Sequence, residues 1–583
     1  RDSSLTTLSN SVLKPSSVSN GMLEKTFVRY NSDTAPTITN TYYVHVDNLT
    51  ENQGKEAHTI TAGENVSSVA IGGTATEYNV SGITAYEGSN GLKYGSTVYA
   101  GISDAVDLAL TANPPTNYTV DKYTASAGSI TTNSATSATL TMPNENVTIG
   151  ATWKLRELNK DNEDNYLVES KDEWDLFCLR VNNGSTYSNE TIKLTGDIGD
   201  AENPVTTIAG ENEIKPFKGT FDGAGYTLTI GYGTSEARFD GQYAAPFRYV
   251  EGATIQNLHV AGIIYTAKQY AAGIVGQVKE SPITLSNCHS SVDINCNYEN
   301  SGGHGGLIAY IWPGLNGNSI TGCLFDGSFT TSNNDNHSSG LFGVAGGTTT
   351  VTNCVVMPSN VSAGMLSNTF GYGSDITFTN CYYVPVENLP TTQGTAAHAI
   401  SAGTNVTSLA ISTTPTTTYN VSGITLYGDN KGLMIGDVVY AAENDEVDLT
   451  LAAPSQPGAT VGFVASAGTL DQTDATHATL TMPNEDVTIS ADYLVNTNYI
   501  AADGTSQSHA AKQLTSSDHE LTSGWYVVNS DVTINPYLDC NNNSTRRINV
   551  SGDVKLILAD GATLDVTHIE TPSVSGGIHV PAG

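Results

Sequence analysis

The chain has 583 residues, 38% hydrophobic and 14% charged, with 24 Lys and Arg against 58 Asp and Glu and a formal net charge of −34. So acidic a surface excludes polyanions, and no Lys or Arg occurs between Ser281 and Asn430 to build a phosphate-reading patch, so nucleic acid is not expected as a partner. No apolar run approaches the ~18 residues of a membrane span, and seven cysteines without CxxC spacing predict neither a zinc framework nor a dense disulfide scaffold.

Short runs rich in Val, Ile, Thr and Tyr, broken by Gly, Asn, Asp and Pro, predict many strands and tight turns in an all-β chain of several domains. Residues 1–38 begin inside a repeating element, because Gly21-Met22-Leu23 returns as Gly364-Met365-Leu366. Arg1 follows neither an initiator Met nor a leader, so the chain reads as a piece of a longer one.

Residues 39–155 are the first copy of a module whose second copy is 381–495. "ATLTMPNENVTI" at 138–149 recurs with one change as "ATLTMPNEDVTI" at 478–489. "YYVHVDNLTENQGKEAHTITAG" at 42–63 likewise returns as "YYVPVENLPTTQGTAAHAISAG" at 382–403. Alternation of apolar and polar residues predicts about six short strands in the stretch 83–153, and a small antiparallel β-sandwich is their natural arrangement. Met142, Pro143, Asn144, Val147, Thr148 and Ala151, repeated as Met482, Pro483, Asn484, Val487, Thr488 and Ala491, resemble the closing strands of a widespread bacterial surface repeat. That resemblance implies an Ig-like spacer in a secreted or cell-surface protein.

Between the copies, "DNEDN" at 161–165 offers Asp161, Glu163 and Asp164 as oxygen ligands for Ca²⁺, the only cofactor the sequence suggests. It lacks the glycine and twelfth-position glutamate of an EF-hand loop, and a solvated acidic linker is the alternative. "SKDEWDLFCLRV" at 170–181 predicts a helix. Ser170 and Glu173 form its capping box, and Trp174, Phe177, Cys178 and Val181 form one apolar face. A solenoid end is an open edge that must be covered, and this helix is the expected cover.

Residues 156–380 carry a shorter repeat. Strands ending in Asn-Leu, Asn-Cys or Gly-Cys place Leu258, Cys288, Cys323, Cys354 and Cys381 at steps of 30, 35, 31 and 27 residues. A period of about 30 residues without helices predicts solenoid coils. These five residues then share one inward position, with Cys acting as a small hydrophobe and not as a disulfide or metal ligand. Gly273, Gly306, Gly340 and Gly364 suit corners where backbones approach closely. Gly340-Leu341-Phe342-Gly343, with the nearby variants Gly273-Ile274-Val275-Gly276 and Gly306-Leu307-Ile308-Ala309, resembles the GLUG-motif repeat. The resemblance implies a right-handed parallel β-helix of the kind found in secreted and surface proteins of bacteria, including regions beside proteases. "GWYVVNSDVTI" at 524–534 and "NVSGDVKLILADGATLDV" at 549–566 open a further β-helical segment over 496–583.

No G-x-S-x-G elbow, H-E-x-x-H or P-loop occurs, and His304 in "GHG" reads as a coil corner. Tyr310 and Trp312 are candidate glycan-stacking residues, with Tyr265, Tyr270 and Tyr298 on the same face or its loops; ordinary strand packing is the alternative. The expected architecture is an elongated rod of solenoids alternating with sandwiches. The expected function is that of a non-enzymatic, secreted or cell-surface repeat protein of a bacterium, an adhesin-like stalk or filament scaffold. Host or microbial surface glycans or proteins are its expected partners, together with end-to-end self-association. The alternatives are a carbohydrate-binding array and the non-catalytic region of a large secreted hydrolase or protease.

Overall fold

Period-two alternation builds strands almost everywhere, and their pairing falls into parallel stacks and antiparallel modules. The computed structural model describes residues 6–30, 34–72, 77–80, 83–86, 90–298, 302–331, 338–412, 418–421, 424–427, 431–452, 459–538, 544–566 and 577–580; Cys540 lies outside them. The chain divides into two units, Arg1–Leu158 and Asn159–Gly583.

In the first unit, strands Thr7–Leu13 and Thr37–Tyr43 pair in parallel, one coil above another. Asn10 and Asn40 each take a left-handed turn (φ 50° and 47°), and the Asn40 amide donates to Asn10 Oδ1 at 2.8 Å. Asparagine is favoured there because its short polar side chain bonds locally and tolerates that region. Tyr42 and Tyr43 then pair in parallel with Lys55 and Glu56. The strand they enter, Lys55–Ala62, continues as an antiparallel partner of Thr97–Gly101. An opposing antiparallel sheet runs through Ser68–Ile71, Ala105–Thr111, Ser137–Thr141 and Ser129–Thr132. Val106, Leu108 and Leu110 alternate with exposed neighbours, and they share one core with Ile60, Leu140, Met142, Val147 and Ile149. The duplicated "TMPNE" segment is therefore the turn by which the chain crosses a two-sheet core, from Ser137–Thr141 in one sheet to Val147–Leu155 in the other.

In the second unit each coil gives one strand to each of three parallel sheets. The first sheet has eight strands, including Thr220–Asp222, Thr254–Gln256, Thr284–Ser286, Asn318–Thr321 and Thr349–Thr352. Its register stacks Ile192, Phe221, Ile255, Leu285, Ile320 and Val351, all fully buried. A second face begins with Thr227–Tyr232, His259–Thr266 and His289–Cys296. The third comprises Phe247–Val250, Val275–Val278, Ile308–Ile311, Phe342–Ala345 and Gly371–Tyr372.

Leu258, Cys288, Cys323, Cys354 and Cys381 form the expected inward column, none more than 4% exposed. The four thiols are free. Each donates to a carbonyl of the coil before it, at 3.5, 3.8, 3.7 and 3.4 Å for Cys288, Cys323, Cys354 and Cys381. The residue before each column member sits in the left-handed region: Asn257, Asn287, Gly322, Asn353 and Asn380.

The glycine corners match at three of four positions. Gly273, Gly306 and Gly340 form a ladder, with Gly273 N bonded to Gly306 O at 3.2 Å and Gly306 N to Gly340 O at 3.1 Å. A Cβ on Gly306 would lie 2.2 Å from the Gly340 oxygen and 2.4 Å from the Phe325 ring. The fourth step is Thr369 and not Gly364: Gly340 N bonds Thr369 O, and Leu341 N bonds Phe370 O. Gly364 instead occupies a turn at φ 73°. The last coil stacks against a loop and not against another coil, so its corner accommodates a side chain.

Both ends of this coil stack are covered. The helix α1, Lys171–Asn182, is capped by Ser170 Oγ, which accepts from Glu173 N, and it buries Trp174, Leu176, Phe177, Cys178 and Val181. Trp174 meets Phe221 and Phe247 edge-on, with ring centres 5.9 and 5.8 Å apart. At the other end the loop 384–394 folds over the last coil. Gln393 Oε1 accepts from Phe370 N and Gly371 N, both at 2.9 Å, and its Nε2 donates to Gly371 O at 2.8 Å. Thr369 Oγ1 donates to Pro390 O at 2.6 Å. The first unit repeats the device: Gln53 Oε1 accepts from Phe27 N and Val28 N, both at 2.9 Å.

The second module grows from the stack without a break. Tyr382 pairs in parallel with Thr395, and Tyr382, Leu324 and Val355 of the coils share one cluster with Ala397, Ile424, Leu426 and Leu433 of the module. Beyond it, Gly524–Val528 with Val554–Leu558, Glu520–Leu521 with Arg547–Val550, and Val532–Thr533 with Leu564–Asp565 are again parallel pairs. They enclose Leu521, Val528, Ile534 and Ile548.

On the second face, His259 and His289 of adjacent coils stack with ring centres 4.0 Å apart. His289 Nε2 lies 2.7 Å from Asp326 Oδ1, and His259 Nε2 lies 2.8 Å from Ser291 Oγ. Burial first, and then the His289 ring, depress the His259 pKa from 6.5 to about 4, against the opposing pull of Asp326 and Asp197.

Two predictions follow from these contacts. Replacing Gln393 by Ala leaves two edge amides without acceptors and costs about 1–3 kcal/mol. Hydrogen exchange at Phe370 and Gly371 should quicken, and unchanged protection there would refute the capping role. For His259 the unfolded chain takes up a proton near pH 6.5 that the folded chain refuses until about pH 4. Its contribution to stability is thus complete above that window and is lost on acidification through it, in total on the order of 3 kcal/mol. The variant His259→Gln should flatten the denaturation midpoint between those pH values, and a profile parallel to the parent would count against the assignment.

Candidate functional site

The five-stranded sheet presents one outward position per coil. Register aligns Tyr249 with Gln277, Gln277 with Tyr310, and Tyr310 with Val344. Two further tyrosines reach this row from the corner before the sheet. Tyr243 and Tyr270 hold left-handed backbones (φ 60° and 68°), and the corresponding corner of the next coil is Gly303 at φ 63°. The glycines make room for them. A Cβ on Gly303 would lie 2.6 Å from the Tyr270 ring, and one on Gly276 would lie 2.6 Å from the Tyr243 backbone carbonyl oxygen and 2.8 Å from its Cβ.

The result is a contiguous aromatic surface. Tyr243 and Tyr270 stack with centres 5.0 Å apart and planes 10° from parallel. Tyr270 and Tyr310 are 5.0 Å apart, and Tyr310 meets Trp312 edge-on at 6.4 Å. The tyrosines are half-buried, while Trp312 is 48% exposed. Gln277 sits between Tyr249 and Tyr310, 2% exposed, and its Nε2 has no acceptor among the described residues. Burial, reinforced by neighbouring tyrosines, pushes the hydroxyls of Tyr243 and Tyr270 above their ordinary pKa, and burial alone raises Tyr310. All three therefore remain neutral donors and acceptors.

Of the residues expected on this face, Tyr270, Tyr310 and Trp312 come together. Tyr298 lies close enough to Tyr270 to influence its ionisation. Tyr265 does not join them: it lies on the strand His259–Thr266 of another face, beneath the Arg238 guanidinium at 5.6 Å. Tyr243 and Tyr249 were not anticipated. The signal for Tyr243 was present, since "YAA" occurs at 243–245 and again at 270–272.

The acidic segment engages its carboxylates within its own loop. Asp161 Oδ1 accepts from Glu163 N and Asn165 N, both at 2.9 Å, and Oδ2 accepts from the Asn165 amide at 2.9 Å. These bonds hold the Asp161 carboxyl below its usual range. Asp164 pairs with Lys160 at 2.9 Å, and Glu163 Oε2 accepts weakly from the Asn165 amide at 3.4 Å. Asp161 and Glu163 converge on the Asn165 amide while Asp164 is held by Lys160, and no set of three or more His, Cys, Asp or Glu side chains is placed to hold a metal among the described residues. His304 is wholly buried at a corner, where its Nδ1 accepts from Ala271 N at 2.9 Å.

No helix among the described residues is long and apolar enough to cross a membrane. No curated protein matches the chain. Among solved structures, a Bacteroides ovatus protein assigned as an immunoglobulin A1 protease is similar over 39% of this chain and 77% of its own, at 15% identity and a TM-score of 0.27. The family model of the divergent InlB B-repeat domain matches residues 66–157 and 424–497. The match covers the later part of each copy of the module and runs two residues past it, so both copies are similar to a bacterial surface repeat.

Proposed function

We propose that this chain is part of a non-enzymatic, adhesin-like scaffold displayed outside a bacterial cell, in which coil stacks and spacer modules alternate to present binding faces. The observation that carries this reading is the repeated joint. In both units a tyrosine pair passes in parallel into the first module strand, and a glutamine caps the preceding coil in the same way. A joint reproduced 340 residues apart suits a chain assembled by repetition, in which each module both closes one stack and starts from it. The similarity of the modules to a surface repeat supports the location. The Gly273, Gly306 and Gly340 ladder gives a physical reason for the GLUG-like pattern, and the burial of Met142 and Met482 gives one for the "TMP" strands. Neither bears on catalysis.

Antibody against the 39–155 module should label intact cells, and protease shaving should remove the epitope. Deletion of the gene should reduce adherence to host or microbial surfaces several-fold. An epitope reached only after lysis, or undiminished adherence, would overturn the reading.

A further inference from the structure

We propose that the aromatic face centred on Tyr270, Tyr310 and Trp312 binds a neutral oligosaccharide. This goes beyond the scaffold role and does not rest on where the chain is displayed. Three features of the face argue for it.

The first is the kind of surface. Aliphatic side chains would cover an outward sheet position as well as aromatic ones do. Here rings from successive coils are instead brought to 5.0 Å from one another, and the row ends in a tryptophan with nearly half its surface in solvent. Coils repeat at the ~4.8 Å strand spacing, so the face is a shallow, regularly spaced platform and not a hole. A chain of sugar rings has the matching shape: flat faces bearing C–H groups, with hydroxyls around the edge. Tyrosine and tryptophan supply an apolar body with a polar tip for such a ligand.

The second is the buried amide. Gln277 lies within the row, and its Nε2 lacks an acceptor among the described residues. A buried donor left unmade costs about 1–3 kcal/mol, which calls for a partner. The Tyr243 ring packs against both Tyr249 and Tyr310 over this position, and a ligand hydroxyl would supply the acceptor once that ring swings aside.

The third is charge. The aligned positions carry no ionised side chain. Lys279 pairs with Glu213 at 3.8 Å, and the Arg248 guanidinium, whose Nε donates to the neutral Gln242 carbonyl at 2.9 Å, lies 5.8 Å from the Tyr249 ring centre. A chain of net charge −34 repels acidic polymers. The long-range charge selects neutral sugars over uronates or sulfated glycans, and the charged controls below test whether Arg248 outweighs it.

The test is affinity electrophoresis of the full chain in gels containing dextran, galactomannan, xyloglucan or mixed-linkage β-glucan, with polygalacturonate and heparin as charged controls. At least one neutral polysaccharide should retard the protein. Trp312→Ala and Tyr310→Ala should each weaken retardation by about tenfold, the loss of one stacking partner with its contacts. Tyr94→Ala, at an exposed tyrosine of the other unit, should leave it unchanged. Because Trp312 is half in solvent, its variant should keep the parent melting temperature and circular dichroism. Retardation by none of the four neutral polymers, retardation only by the charged ones, or equal binding by the folded Trp312→Ala variant would each overturn the proposal. Surface labelling of cells is unaffected by any of these outcomes, so failure here is distinct from failure of the scaffold reading.

Discussion

The second unit depends on one constraint, the in-register stacking of like residues from coil to coil. A parallel strand finds its hydrogen-bond partners only in its neighbours, so every inward residue lands on the corresponding residue of the next coil. Ile255, Leu285, Ile320 and Val351 pack this way, and so do the cysteines one corner later. The same rule acts outward. A residue type that recurs on the outside of successive coils becomes a continuous surface, which is how scattered tyrosines turn into the face of Tyr243, Tyr270 and Tyr310.

Stacking leaves two open ends, and the chain closes them by different means. The first coil is covered by a helix whose Trp174 and Phe177 meet the rings of Phe217, Phe221 and Phe247. The last coil is covered by polar capping, in which one glutamine side chain stands in for the missing strand. The module then takes over the hydrogen bonding of the solenoid edge through Tyr382 and Thr395. Cap and module are thus one continuous device, and the edge that would otherwise recruit foreign strands is used up internally.

Much of this architecture could be read from residues alone, because its signals are periodic. The inward column shows as a Cys every 30 residues or so, and the cap helix shows as a capping box with an apolar face. The corner at Gly364 was misplaced because "GML" imitates the glycine pattern. The true corner, Thr369, carries a side chain that only the terminal position tolerates. The glutamine cap is harder to read: Gln recurs in "ENQG" and "TTQG", but a residue shared by two copies does not show which backbone amides it meets. Tyr310 and Trp312 were visible as aromatics, but Tyr249 and Gln277 join them only through register, which depends on how many residues each corner consumes. The acidic cluster suggested a cation, whereas local geometry closes Asp161 on its own turn. Short side chains next to free backbone amides satisfy those amides first.

The column of unpaired thiols has a consequence for how the coils are held. Cross-linked folds need an oxidant and a catalyst of exchange to reach their native state. Here the sulfurs of Cys288, Cys323, Cys354 and Cys381 are hydrogen-bonded within the core and carry no covalent bond. The register of the stack is therefore held by packing and hydrogen bonds at these four positions and by no disulfide between them.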